Sequence, residues 1–217
     1  MKDKLTKIEF EWSQLGDLFL TPCMELPIVL YQYLKPNELI VFKMHCLYQK
    51  KVWRCSSSSF SRLSGLTRKT ILKNNNRLYE EGFITSTNKI DKSRMKMMEN
   101  VFRNQMVCSP QFLWQRYLSE EDTLSPSETA VLDIILYQFC VKECLLTINN
   151  IKPYLKLSEQ SLIDIVRKLK GKNLICGKRG FYPNVTEIRS LNIKLCALAK
   201  EMKENKKEDY PKEQPSK

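Results

Sequence analysis

Apolar positions along this chain fall into a series of runs, and the same order of runs occurs twice. One copy opens with Leu34-Lys35-Pro36-Asn37-Glu38-Leu39-Ile40-Val41-Phe42 and continues through Met44 and Leu47. The other opens with Leu124-Ser125-Pro126-Ser127-Glu128-Thr129-Ala130-Val131-Leu132 and continues through Ile134, Leu136 and Phe139. Pro just inside the start and Glu in the first turn mark both runs as helix beginnings. The repeat has a period of about 90 residues.

A second match follows in each copy. Leu66-Thr67-Arg68-Lys69-Thr70-Ile71 runs on to Leu78 and ends at Gly82-Phe83-Ile84, while Leu157-Ser158 runs through Leu162, Val166 and Leu169 to Asn173-Leu174-Ile175. Thr67 and Ser158 stand where a side-chain oxygen caps a helix, and the apolar residues recur at helical spacing. Gly82 and Asn173 supply left-handed stops before short β-favouring segments. A shorter helix precedes each of these helices, from Ser58 to Ser64 and from Asn149 to Leu155, the latter carrying Pro153. The spacing therefore predicts helix, short helix, tight turn, helix and β-hairpin, in duplicate.

The copies differ in detail. Asn75 falls where the other copy has Val166, on the arc that faces the core, so it needs a partner or a rotated helix. A long hairpin is expected after Ile84, through Lys89 to Val107, against a compact one around Gly177-Lys178-Arg179-Gly180. Outside the repeat, alternation at Ile8, Phe10 and Trp12 predicts a strand, and Leu26, Leu30, Tyr33 and Leu34 a helical stripe. Ile188, Leu191, Leu195, Leu198 and Met202 form a two-heptad seam that suits either a second copy of the chain or its own core. The expected divisions are 1–34 packing on the first module, 35–107, a linker helix at 108–123, 124–186, a C-terminal helix at 187–204 and a disordered tail at 205–217.

Ser61-Arg62-Leu63-Ser64-Gly65-Leu66-Thr67-Arg68-Lys69-Thr70-Ile71 resembles the turn and recognition-helix start of winged helix-turn-helix proteins, and Arg77-Leu78-Tyr79-Glu80-Glu81-Gly82-Phe83-Ile84 resembles their helix end and first wing strand. The resemblance covers 35–105 and 124–186. It implies a mainly α fold with small β-hairpin wings (α+β): two winged helix-turn-helix modules in tandem plus a C-terminal helix. The stretch Glu25-Leu26-Pro27-Ile28-Val29-Leu30 ahead of Leu34-Lys35-Pro36-Asn37-Glu38 is similar to the approach to the first module of plasmid and phage replication initiators.

Charge sharpens this picture. Lys+Arg number 36 and Asp+Glu 24, a net +12 that suits a polyanionic partner. With Ile71 and Leu78 inward, Lys69, Lys73, Asn76 and Arg77 project outward, and Arg68 and Thr70 lie at the leading end. Lys and Arg suit guanine edges and phosphates, and Asn suits adenine. Lys89, Lys92, Arg94 and Lys96 are expected wing contacts to phosphates. In the second copy, Glu159 and Asp164 disfavour DNA at the helix start, and positive charge collects later, at Arg167, Lys168, Lys170 and Lys172 and on the wing turn at Lys178 and Arg179, so this module is expected to clamp the DNA backbone or to contact a protein partner. Ser56 to Ser59 offer hydroxyls to phosphates or cap a helix.

Double-stranded DNA is thus the expected partner, in replication initiation or, alternatively, in transcriptional regulation; a protein-interaction scaffold is a further reading. No catalytic role, cofactor or metal is expected, given one histidine (His45), scattered cysteines and no nucleotide-binding glycine motif. Neither a membrane-spanning run nor a signal-peptide core is visible, so a cytoplasmic protein is expected.

Overall fold

The computed structural model describes residues 23–49, 60, 61, 64–87, 89–110, 123–142 and 145–208, without the side chains of 48, 49 and 198–208. These residues are mainly helical, with two antiparallel sheets of two strands each. Strand β1 (Cys23–Pro27) leads into α1 (Ile28–Tyr33), α2 (Pro36–Gln49), α3 (Arg68–Glu80), α4 (Lys92–Val101) and β2 (Met106–Pro110). Then come α5 (Pro126–Lys142), α6 (Ile148–Ile151) with a 3-10 turn at Lys152–Tyr154, α7 (Glu159–Gly171), β3 (Ile175–Cys176), β4 (Tyr182–Pro183) and α8 (Val185–Glu208).

The long helices α2 and α5 are apolar on nearly every side, and such helices belong inside a protein rather than at its surface. They pack against each other, and α3 and α7 pack on α2 and α5 respectively. Both are closed at the start by a carboxylate reaching back: Glu38 Oε2 accepts from the Lys35 backbone N–H at 2.8 Å, and Glu128 Oε2 from that of Ser125 at 2.7 Å. The Ser125 hydroxyl accepts in turn from the Glu128 N–H at 3.2 Å, completing a capping box.

A buried polar network crosses from one copy to the other. Lys43 Nζ on α2 lies 2.6 Å from Asp133 Oδ2 on α5 and donates to Ser109 Oγ on β2 at 2.8 Å. The Tyr31 hydroxyl on α1 donates to the same Asp133 oxygen at 2.9 Å. Burial drives the Asp133 carboxyl above its usual range against the opposing pull of Lys43, and burial followed by the Asp133 charge drives the Tyr31 hydroxyl well above its own. The apolar core is continuous around this network, from Met24 and Leu26 through Phe42 and Phe139 to Leu195. The two copies are therefore fused through their opening helices.

Several expectations need correction. Leu26 belongs to β1, opposite Val107, and not to a helical stripe with Leu30 and Leu34. Pro27 separates the two elements, its extended backbone ending the strand before α1 begins. The long first wing is absent: Ile84 and Ile90 form a single antiparallel bridge, and Lys92–Val101 is helical. Asp91 starts that helix by accepting from the Arg94 N–H at 2.8 Å, an N-cap signal set within a stretch read as strand. Residues 108–110 of the expected linker helix pair with β1, because Cys108 continues the strand begun at Met106.

At the other end, α8 begins at Val185 and extends to Glu208, past the expected start of the tail. Ile188 and Leu195 of its seam are buried in the chain's own core, and Leu191 is half-buried against it. The side chains of Leu198 and Met202, the Ile8-Phe10-Trp12 segment, Ser56 to Ser59, 111–122 and 209–217 lie outside the described residues.

Candidate nucleic-acid interface

The turn before α3 is built from local hydrogen bonds. The Ser64 hydroxyl donates to the Phe60 carbonyl and that of Ser61 to the Leu66 carbonyl, both at 2.7 Å. Gly65 adopts a φ of 66°, which suits its lack of a Cβ. Thr67 then caps α3, its Oγ1 accepting from the Thr70 N–H at 3.2 Å. At the far end Gly82 (φ 69°) turns the chain, and the Phe83 N–H bonds back to the Leu78 carbonyl at 2.8 Å. In the second copy Ser158 caps α7 in the same manner and Asn173 (φ 57°) stops it.

The buried arc of α3 consists of Ile71, Asn74 and Leu78. Asn75 finds its partner in His45, whose Nε2 lies 2.8 Å from Asn75 Oδ1, and the His45 ring meets Phe60 edge-on at 5.3 Å. Its neighbour Asn74 buries an amide whose Nδ2 has no hydrogen-bond partner among the described residues.

Two residues expected to face outward are used internally. Arg77 Nε lies 3.1 Å from Glu38 Oε1, so this cation neutralises the nearly buried carboxylate at the start of α2. Arg94 turns back instead of extending from a wing: it donates to the Glu81 carbonyl, and its guanidinium lies 4.4 Å from the centre of the Phe83 ring.

Arg68, Lys69, Lys73 and Asn76 form the exposed strip of α3, and no acidic side chain among the described residues pairs with the three cations. Thr70 is half-buried, its hydroxyl 2.9 Å from that of Thr67. Lys89 is exposed beside the Ile84–Ile90 bridge, and Lys92 and Lys96 are exposed on α4. Leu72 and Tyr79 are also exposed on α3, at 58% and 53%, and a reading by charge does not reach either. Spacing could have found Leu72, since it follows the buried Ile71 and adjacent helical residues point about 100° apart.

The second copy holds its charges differently. Arg167 bonds Asp164 at 2.9 Å, Lys152 bonds Glu159 at 2.8 Å, and Lys170 and Lys172 donate to the carbonyls of Gly177 and Thr123 at 2.7 and 2.8 Å. The Lys152 hydrogen bond and charge hold the Glu159 carboxyl below its usual range. Lys178 and Arg179 remain exposed in the turn joining β3 and β4. The structure thus brings Arg68, Lys69, Lys73 and Asn76 onto one surface and leaves Lys178 and Arg179 on a separate element.

No helix among the described residues is long and apolar enough to cross a membrane. Comparison with protein-family models, with curated proteins and with solved structures gives no match.

Proposed function

We propose that the protein binds double-stranded DNA through α3, as a tandem winged helix-turn-helix protein of the plasmid or phage replication-initiator kind. The observation that carries this reading is the strip Arg68, Lys69, Lys73 and Asn76, whose cations have no acidic partner among the described residues, while Arg167 and Lys170 of α7 are engaged within the protein. A recognition helix needs such an asymmetry, with one face held by its own module and the other open to the major groove. Lys89, Lys92 and Lys96 then approach phosphates beside it, and Lys178 and Arg179 clamp the backbone at a distance. The Lys43–Asp133 link between the copies favours an initiator that presents both modules as one rigid unit, with a transcriptional regulator using the same surface as the alternative.

Gel-shift titration across a salt series tests the reading. Affinity should fall as salt rises with a log–log slope of about −0.9 per neutralised phosphate. Absence of binding to any duplex at low salt refutes it. Repeated high-affinity sites in a replication origin support the initiator use, and single promoter palindromes support the regulator.

A further inference from the structure

Leu72 is the part of the α3 surface that charge does not account for. It is 58% exposed, while Ile71 beside it is buried. Lys69 and Asn76, three residues before and four after, are its neighbours on the helix surface, and Lys73 follows it. A single exposed Leu is ordinary on a protein surface. Its surroundings set this one apart, because whatever anion the cations attract also covers Leu72.

In a DNA major groove the one apolar group on a base edge is the C5-methyl of thymine. The geometry points to Leu72 as a specificity-determining residue that packs on a thymine methyl, an inference that rests on duplex binding through α3. Asn76 lies four residues further on, about 6 Å along the axis, against a rise of about 3.4 Å per base pair. Leu72 and Asn76 therefore address bases one or two steps apart, and the preferred site carries a thymine at that distance from an adenine.

The second copy supplies an internal control. Ile163 holds the corresponding place on α7 and is 36% exposed. Its neighbour Asp164 accepts from both Gln160 and Arg167, so a carboxylate stands where the first copy presents Lys73. A phosphate backbone is repelled there, and Ile163 reads no base.

The experiment selects high-affinity duplexes from a randomised pool with the full chain. The best duplex is then resynthesised with deoxyuridine in place of one thymine at a time, which removes only the methyl group. Binding should weaken about fourfold at one thymine, the factor that loss of one buried methyl group brings. Leu72→Ala should bind the original duplex more weakly and be indifferent to deoxyuridine at that position, while Ile163→Ala should match the unaltered protein. Indifference of the unaltered protein to deoxyuridine at every thymine overturns the inference, and so does undiminished sensitivity in Leu72→Ala. The deoxyuridine series needs no variant, so a folding defect in Leu72→Ala does not block it. Failure to select any duplex at low salt is a separate outcome that removes duplex binding itself, and the inference with it.

Discussion

Lys43 Nζ and Asp133 Oδ2, 90 residues apart in the chain, meet at 2.6 Å with both side chains buried. Two charges taken out of water are held by each other and by Ser109 and Tyr31. Removing one partner leaves the other charge unpaired, whereas replacing both with apolar groups removes the desolvation cost as well. Lys43→Ala should therefore destabilise the fold by about 3–5 kcal/mol, and Lys43→Met with Asp133→Leu should cost clearly less, because only the Tyr31 and Ser109 hydroxyls then lose a partner. Denaturant unfolding of the single and double variants checks this. Equal losses in both would show that the network contributes stability beyond charge pairing.

The Tyr31 hydroxyl holds its proton more tightly in the folded chain than its ordinary value of 10.0 allows, chiefly through burial. Its contribution is fully present below that value and is lost as pH rises toward the folded-state value, because only the unfolded chain then releases the proton. Tyr31→Phe lacks that titration. The stability gap between the protein and Tyr31→Phe should narrow as pH rises above about 10, in urea midpoints taken from neutral to alkaline pH. A constant gap would contradict this.

Asn74 buries an amide nitrogen without a partner. An apolar replacement of similar size relieves that cost, so Asn74→Leu should raise stability by about 1 kcal/mol and leave salt-dependent DNA binding unchanged. Thermal unfolding and anisotropy titration read the two effects separately.

Because Arg77 is occupied by Glu38, its loss should be felt in the fold and not in the ligand. Arg77→Gln should lower stability by about 1 kcal/mol while keeping the salt slope of DNA binding. Lys69→Ala should do the opposite, reducing the slope by about one unit with little change in stability.

Local signals were legible along the chain wherever one residue settles one piece of backbone. Thr67 and Ser158 cap their helices, Gly82 and Asn173 stop them, and Pro36 and Pro126 open α2 and α5. Relationships between distant residues were not legible. Periodicity treats an Arg as outward until a group such as the buried Glu38 carboxylate is found beside it, so the internal contacts of Arg77 and Arg94 show only in the fold. Asp91 looks like a wing residue because capping and turn formation favour the same side chains, and the helix it starts shows only in the fold. Lys43 and Asp133 each sit within an apolar run, and nothing in either run says that they meet. Of the surface assigned to DNA, the cations of α3 whose partners would have to be local were read soundly as exposed.

The most direct test compares the two copies in one assay: anisotropy titration of a selected duplex at fixed low salt with Lys69→Ala/Lys73→Ala and with Lys168→Ala/Lys178→Ala. The expected result is a larger loss of affinity in the α3 variant, with its salt slope reduced by about two units. A larger loss in the second-copy variant, or no binding by the unaltered protein, would contradict the assignment of DNA reading to α3.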